Sequence, residues 1–144
     1  GVEPSPRALA LRALMLERER VANHLGDLAM LGNDAALSFG LSQFFRLKED
    51  WVRLNAQLFG HRFLMDRIVP GGVASDLDAA ALTALVAQCD TVEGEVRELR
   101  NIYDEHAGLQ DRYLTTGIID AALARELSLT GMAVRASSST RKTC

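Results

Sequence analysis

Glutamate, arginine, histidine and aspartate recur at Glu17, Arg20, His24 and Asp27, in steps of three, four and three. In an α-helix that spacing places four ionisable side chains on one face. Such a row can hold a polar network, relay protons through the imidazole or steady a neighbouring reactive site. It can also be a solvated face with ordinary helical ion pairs, each worth about 0.2–0.5 kcal/mol, and spacing alone favours that plainer reading.

The other reactive side chains are scattered. His61 and Arg62 follow Gly60, where they either complement the negative end of a helix or point into a cleft. Gly71 and Gly72 follow Pro70 and resemble a phosphate-cradling loop only superficially. No glycine-rich nucleotide motif with a lysine and no dinucleotide fingerprint is present. Cys89 and Cys144 are two distant thiols, which make no disulfide framework and cannot alone hold a cluster or a structural zinc. Their usage fits a reducing compartment. Cys89 falls within an apolar stripe and reads as a small buried residue. His106 is a lone histidine near a helix end and reads as structural. Glu93 and Glu95 do not share a helix face, so they form no acid–base pair. Nucleophile-elbow and zinc-helix motifs are absent. The chain alone therefore supplies no catalytic residue and no metal site.

These residues must be held by helices. Ser5 is a good N-cap and Pro6 suits the first helical position. Leu11, Leu14, Val21, Leu25 and Leu28 fall on one arc, extended by Met15, Ala22 and Ala29 and opposite the polar row. Gly32, Asn33 and Asp34 read as a stop or kink. A second helix carries Phe44, Leu47, Trp51, Leu54 and Leu58, a bundle seam. Pro70, Gly71 and Gly72 mark a turn-rich connector. Asp76 or Asp78 caps a third helix, striped by Leu82, Leu85, Cys89, Val92, Val96, Leu99 and Tyr103. Beyond it lie a helical turn over 111–115, a small helix capped by Asp120, and a short extended segment over 129–134. The expected fold is all-α: a bundle of three long amphipathic helices plus a short helical and irregular C-terminal part. Residues 1–136 form a central helical domain, and 137–144 a polar, disordered tail.

The 144 residues carry a net charge of −3, which gives no field for holding nucleic acid. No apolar run is long enough to cross a bilayer, so any membrane link goes through partners and not by direct insertion. The opening residues lack the basic and apolar regions of a signal peptide. They include no initiator methionine and begin inside a helix cap, as a piece of a longer polypeptide would.

Four stretches taken in order carry a resemblance. They are Glu17-Arg18-Glu19-Arg20-Val21-Ala22-Asn23-His24-Leu25-Gly26-Asp27; Phe44-Phe45-Arg46-Leu47-Lys48-Glu49 leading to Leu58-Phe59-Gly60-His61-Arg62-Phe63; Pro70-Gly71-Gly72-Val73 with Asp76-Leu77; and Thr115-Thr116-Gly117-Ile118-Ile119 with Leu127-Ser128-Leu129-Thr130-Gly131 and Val134-Arg135-Ala136-Ser137. Together they resemble the large subunit shared by group 4 NiFe hydrogenases, as in the hydrogenase III of formate hydrogenlyase, and respiratory complex I, the NADH dehydrogenase in which it helps form the quinone pocket.

The resemblance implies that the nickel–iron ligands, two C-x-x-C pairs near the ends of the subunit, lie outside this stretch. The quinone-contacting histidine and tyrosine of the complex I members do too. The implied fragment holds no cofactor. Its parent holds a NiFe centre, with iron–sulfur clusters in a small partner subunit and further subunits tying the complex to the cytoplasmic face of the inner membrane. What carries over is the pattern Glu17, Arg20, His24, which implies a row facing protein. Val69 stands where complex I members often have arginine, and Ser138 replaces a family glycine. Residues 24–27 and 60–63 look more like the hydrogenase branch. Three functions follow as alternatives: a scaffold in a hydrogenase large subunit, a scaffold in a quinone-site large subunit, or a non-catalytic helical interaction module. Apolar faces that meet the rest of the parent are expected to make the isolated chain self-associate.

Overall fold

Ser5 starts the first helix as its side chain dictates: Oγ accepts from the Ala8 N–H at 3.2 Å, and Pro6 occupies the first position. Helix α1 then runs over Pro6–Asp34. In this computed structural model, which describes residues 3–131 and residue 133, Gly32 sits inside α1 rather than ending it. The stop comes at Ala35, and Ala36 turns the chain at a φ of 60°. Helix α2, Ser38–Phe59, returns antiparallel and ends on Gly60 in the left-handed region, at a φ of 79°. Glycine reaches that conformation without steric cost.

The connector is a small hairpin. Strand β1, Ile68–Val69, pairs antiparallel with β2, Gly72–Val73, in the register Ile68↔Val73 and Val69↔Gly72. Pro70 and Gly71 form the turn, with Gly71 at a φ of 76°. Proline followed by a positive-φ glycine is the chemistry of a type II turn. Helix α3, Ala79–Glu105, is capped by Asp78, whose Oδ1 accepts from the Ala81 N–H at 2.7 Å. Asp76, the other candidate cap, instead pairs with Arg7. Short helices α4, Ala107–Tyr113, and α5, Ala121–Glu126, close the described part.

Helix α3 runs alongside α1 in the same direction. Arg7 donates to the Leu77 carbonyl at 2.7 Å near one end, and the Tyr103 hydroxyl to the Leu28 carbonyl at 3.1 Å near the other. The core has two apolar parts. Leu11, Met15, Phe59, Leu77, Ala81 and Leu85 fill one. Ala22, Leu25, Phe44, Leu47, Trp51, Val92, Leu99 and Tyr103 lead the other. Burying a side chain such as Phe44 or Leu47 contributes roughly 1.5–3 kcal/mol.

The mostly helical fold expected from the sequence is what the chain adopts, with the hairpin as its one β element among the described residues. The α3 stripe needs correction. Leu85, Val92, Leu99 and Tyr103 are buried, but Leu82 and Cys89 are exposed. Cys89 opens onto a groove between α1 and α3. Gly131 and Ala133 are helical rather than extended, and Val134 and the expected tail lie outside the described residues. Among the described residues no helix is long and apolar enough to cross a membrane.

Tyr103 passes through a notch built by small residues. Its ring meets Phe44 edge-on at 5.5 Å. A Cβ on Gly40 would collide with the Tyr103 hydroxyl oxygen and lie 2.7 Å from its ring. Gly40→Ala is therefore expected to displace the ring and lower stability by about 1–3 kcal/mol, although alanine is the better helix former. Urea unfolding followed by far-UV circular dichroism measures this.

Candidate functional site

The four residues of the polar row come out on one face of α1, as their spacing requires, and that face is exposed. Arg20 pairs with Glu17, and His24 Nδ1 stands 4.0 Å from the Asp27 carboxylate. Their side chains are 53–70% exposed. A groove of about 290 Å³ lies between α1 and α3, walled by Val21, Leu25, Leu28, Val92 and Val96 and reaching Trp51, and none of the four row residues lines it.

Next to the row lies the residue that spacing did not reveal. Arg18 is 2% exposed. Its Nε donates to Asn55 Oδ1, and its Nη2 to the Trp51 carbonyl at 3.1 Å and to Gln88 Oε1 at 2.8 Å. The guanidinium carbon lies 4.0 Å from the centre of the Trp51 ring, a cation–π contact. Trp51 returns a hydrogen bond from Nε1 to the Arg18 carbonyl at 2.8 Å. Among the described residues no carboxylate pairs with this cation, so neutral acceptors and an aromatic face hold it. Burial pulls its pKa down to about 10, partly opposed by Cys89. The group is still charged at neutral pH.

The network reaches every long element. Gln88 Nε2 donates to the Asp50 carbonyl at 2.9 Å, and Asn55 Nδ2 to the Arg62 carbonyl at 3.1 Å. Arg18, Asn55 and Gln88 form one polar layer between the two apolar cores. The signal was present in the sequence: Arg18 falls on the same arc as Leu11, Met15, Ala22 and Leu25. Within the run Glu17-Arg18-Glu19-Arg20 its charge masks that position.

The second group of candidates divides. His61 Nδ1 accepts from the Phe63 and Met65 N–H groups, both at 3.2 Å, and so fixes the loop after α2. Arg62 reaches back to Glu49 at 2.5 Å and lines a pocket with Lys48. A hydrogen bond from Arg53, together with that from Arg62, holds the Glu49 carboxyl below its usual range. Gly71 and Gly72 lie elsewhere, at the hairpin turn. There Arg12 donates to the Val69 and Gly72 carbonyls, each at 2.9 Å. The turn offers carbonyls to a cation, the opposite of a phosphate cradle. His106 caps α4, with Nδ1 accepting from the Leu109 N–H at 3.2 Å.

Comparison with known proteins places this architecture. Residues 17–141 match the sequence profile of the respiratory-chain NADH dehydrogenase 49 kDa subunit. Formate hydrogenlyase subunit 5 of Escherichia coli (strain K12) is 32% identical over 145 residues, covering 99% of this chain and 25% of that protein. An NADH-quinone oxidoreductase subunit of Mycobacterium avium (strain 104) is 30% identical over 130 residues, covering 90% of this chain and 30% of that protein. Its counterpart in Parafrankia sp. (strain EAN1pec) is 29% identical over 134 residues, covering 93% of this chain and 29% of that protein. The chain spans only a quarter to three tenths of the length of these relatives. The chain belongs to the family of the respiratory-chain NADH dehydrogenase 49 kDa subunit.

Removing the buried cation tests the network. Arg18→Met leaves Asn55 Oδ1, Gln88 Oε1 and the Trp51 carbonyl short of a donor, and each buried unsatisfied acceptor costs about 1–3 kcal/mol. A net loss of about 2–4 kcal/mol is expected in urea unfolding. Arg18→Lys, which keeps the charge but loses the planar fork, is expected to fall between.

Proposed function

Within that family, we propose that the chain is the central helical scaffold of a NiFe hydrogenase large subunit. The parent would reduce protons or oxidise hydrogen, exchanging electrons through an iron–sulfur partner subunit. The observation that carries this reading is the reach of the similarity. The match to formate hydrogenlyase subunit 5 covers 99% of the chain, against 90% for the Mycobacterium avium oxidoreductase. The hydrogenase-like wording of residues 24–27 and 60–63 supports the same branch.

The described residues do not themselves fit a nickel–iron centre. Cys89, the one cysteine among them, is exposed on an apolar groove. No group of three His, Cys, Asp or Glu side chains converges among them. The ligands would come from other parts of the parent. This chain's contribution is mechanical and electrostatic. The bundle holds the two ends of the large subunit at a fixed separation, and the α1 row faces the iron–sulfur partner. At that contact the His24 imidazole and the Asp27 carboxylate, 4.0 Å apart, offer polar groups to the partner's surface. Partner subunits, not this chain, tie the complex to the cytoplasmic face of the inner membrane.

The second reading, a quinone-site large subunit of an NADH dehydrogenase, is favoured by the family's description and by the NADH-quinone oxidoreductase relatives. Purification of the full-length complex separates them. Nickel with hydrogen evolution is expected. Quinone reduction without nickel moves the chain to the second branch. Neither activity would leave a helical interaction module and overturn the redox assignment.

Within an active complex, His24→Ala is expected to lower turnover by weakening the proposed contact with the iron–sulfur partner. The unfolding midpoint should not move, because His24 is exposed. Unchanged turnover would remove the row from the mechanism.

A further inference from the structure

The small pocket between α1, α2 and the loop after α2 is lined by charge that the fold does not use. Its polar wall is Glu19, Asn23, Lys48, Asn55 and Arg62, and Phe63 and Leu64 supply an apolar side. Its volume is about 100 Å³, room for a few waters or one small solute. Lys48 is half-buried and lies over Gly26, where a Cβ would stand 2.6 Å from Nζ. Among the described residues its ammonium makes no hydrogen bond or ion pair, so its three donors are open to solvent or to a ligand. Arg62 spends Nη2 on Glu49 and keeps its other N–H groups. Asn55 is already committed to Arg18 and Arg62.

We propose that this pocket binds a small monocarboxylate, with Lys48 as the principal counter-ion and Arg62 as the second donor. Charge selects the ligand. Arg62 shares Glu49 with Arg53, so the three cations Lys48, Arg53 and Arg62 stand against the two carboxylates Glu49 and Glu19 and leave one uncompensated positive charge. A dianion would meet the Glu19 carboxylate without a cation to offset it. Shape agrees, because a planar two-oxygen acceptor suits a guanidinium edge and an ammonium. The Phe63 and Leu64 side accepts a methyl group and offers nothing to a third anionic oxygen. The proposal is independent of the hydrogenase reading and stands or falls separately from it.

Acetate is the probe, titrated into the 15N-labelled chain at constant ionic strength made up with chloride. Saturating amide shifts are expected at Asn23, Lys48 and Phe63. Two substitutions test the assignment without threatening the fold, since both introduce better or equal helix formers. Lys48→Met removes the charge, and Gly26→Ala keeps it but displaces the ammonium. Each is expected to weaken acetate binding at least about tenfold, the scale of a lost charge-assisted hydrogen bond. Glu19→Gln is expected to tighten it. Shifts that grow linearly without saturation, that persist in Lys48→Met, or that phosphate reproduces at equal concentration overturn the proposal.

Discussion

A charged side chain with no carboxylate partner sits between the two halves of the apolar core, and the helices are arranged around it. Moving an isolated cation from water into a protein interior is costly. Arg18 is tolerated because each face of its guanidinium is occupied: Asn55, the Trp51 carbonyl, Gln88 and the indole ring. Those acceptors lie on two other helices at one level. Slide any helix by a turn and the cation loses its acceptors, while the apolar contacts above and below would adjust more cheaply. The hydrophobic layers supply most of the adhesion, and the polar layer selects one alignment.

That alignment also sets which faces of the helices are exposed. Arg18 looks inward, so Glu17, Arg20, His24 and Asp27 look outward on the same helix. Gln88, held by Arg18 and the Asp50 carbonyl, brings α3 against α2 and leaves the groove beside α1 open. The scaffold role proposed above would need helices fixed in register. The buried layer does this within the chain.

Much of this was legible in the residues. Ser5, Asp78 and Asp120 act as caps because their short acceptor side chains reach free N–H groups wherever they stand. The Phe44, Leu47 and Trp51 seam is buried as its period demands. Cys89 was misread because periodicity shows that a face is apolar, not that another helix covers it. Arg18 was hidden because charge type outweighed wheel position in a run of four alternating charges. The two-residue strands are shorter than any alternation that could announce them, so only their Pro-Gly turn was visible.

The most direct test is to replace the whole layer at once, as Arg18→Met, Asn55→Leu and Gln88→Leu, and record the amide spectrum of the purified chain. If the layer sets the register, the triple variant stays folded and at least as helical, but its resonances broaden or multiply as the helices sample several alignments. A single sharp, dispersed set with native contacts between Leu28 and Tyr103 would show that the apolar layers fix the register unaided.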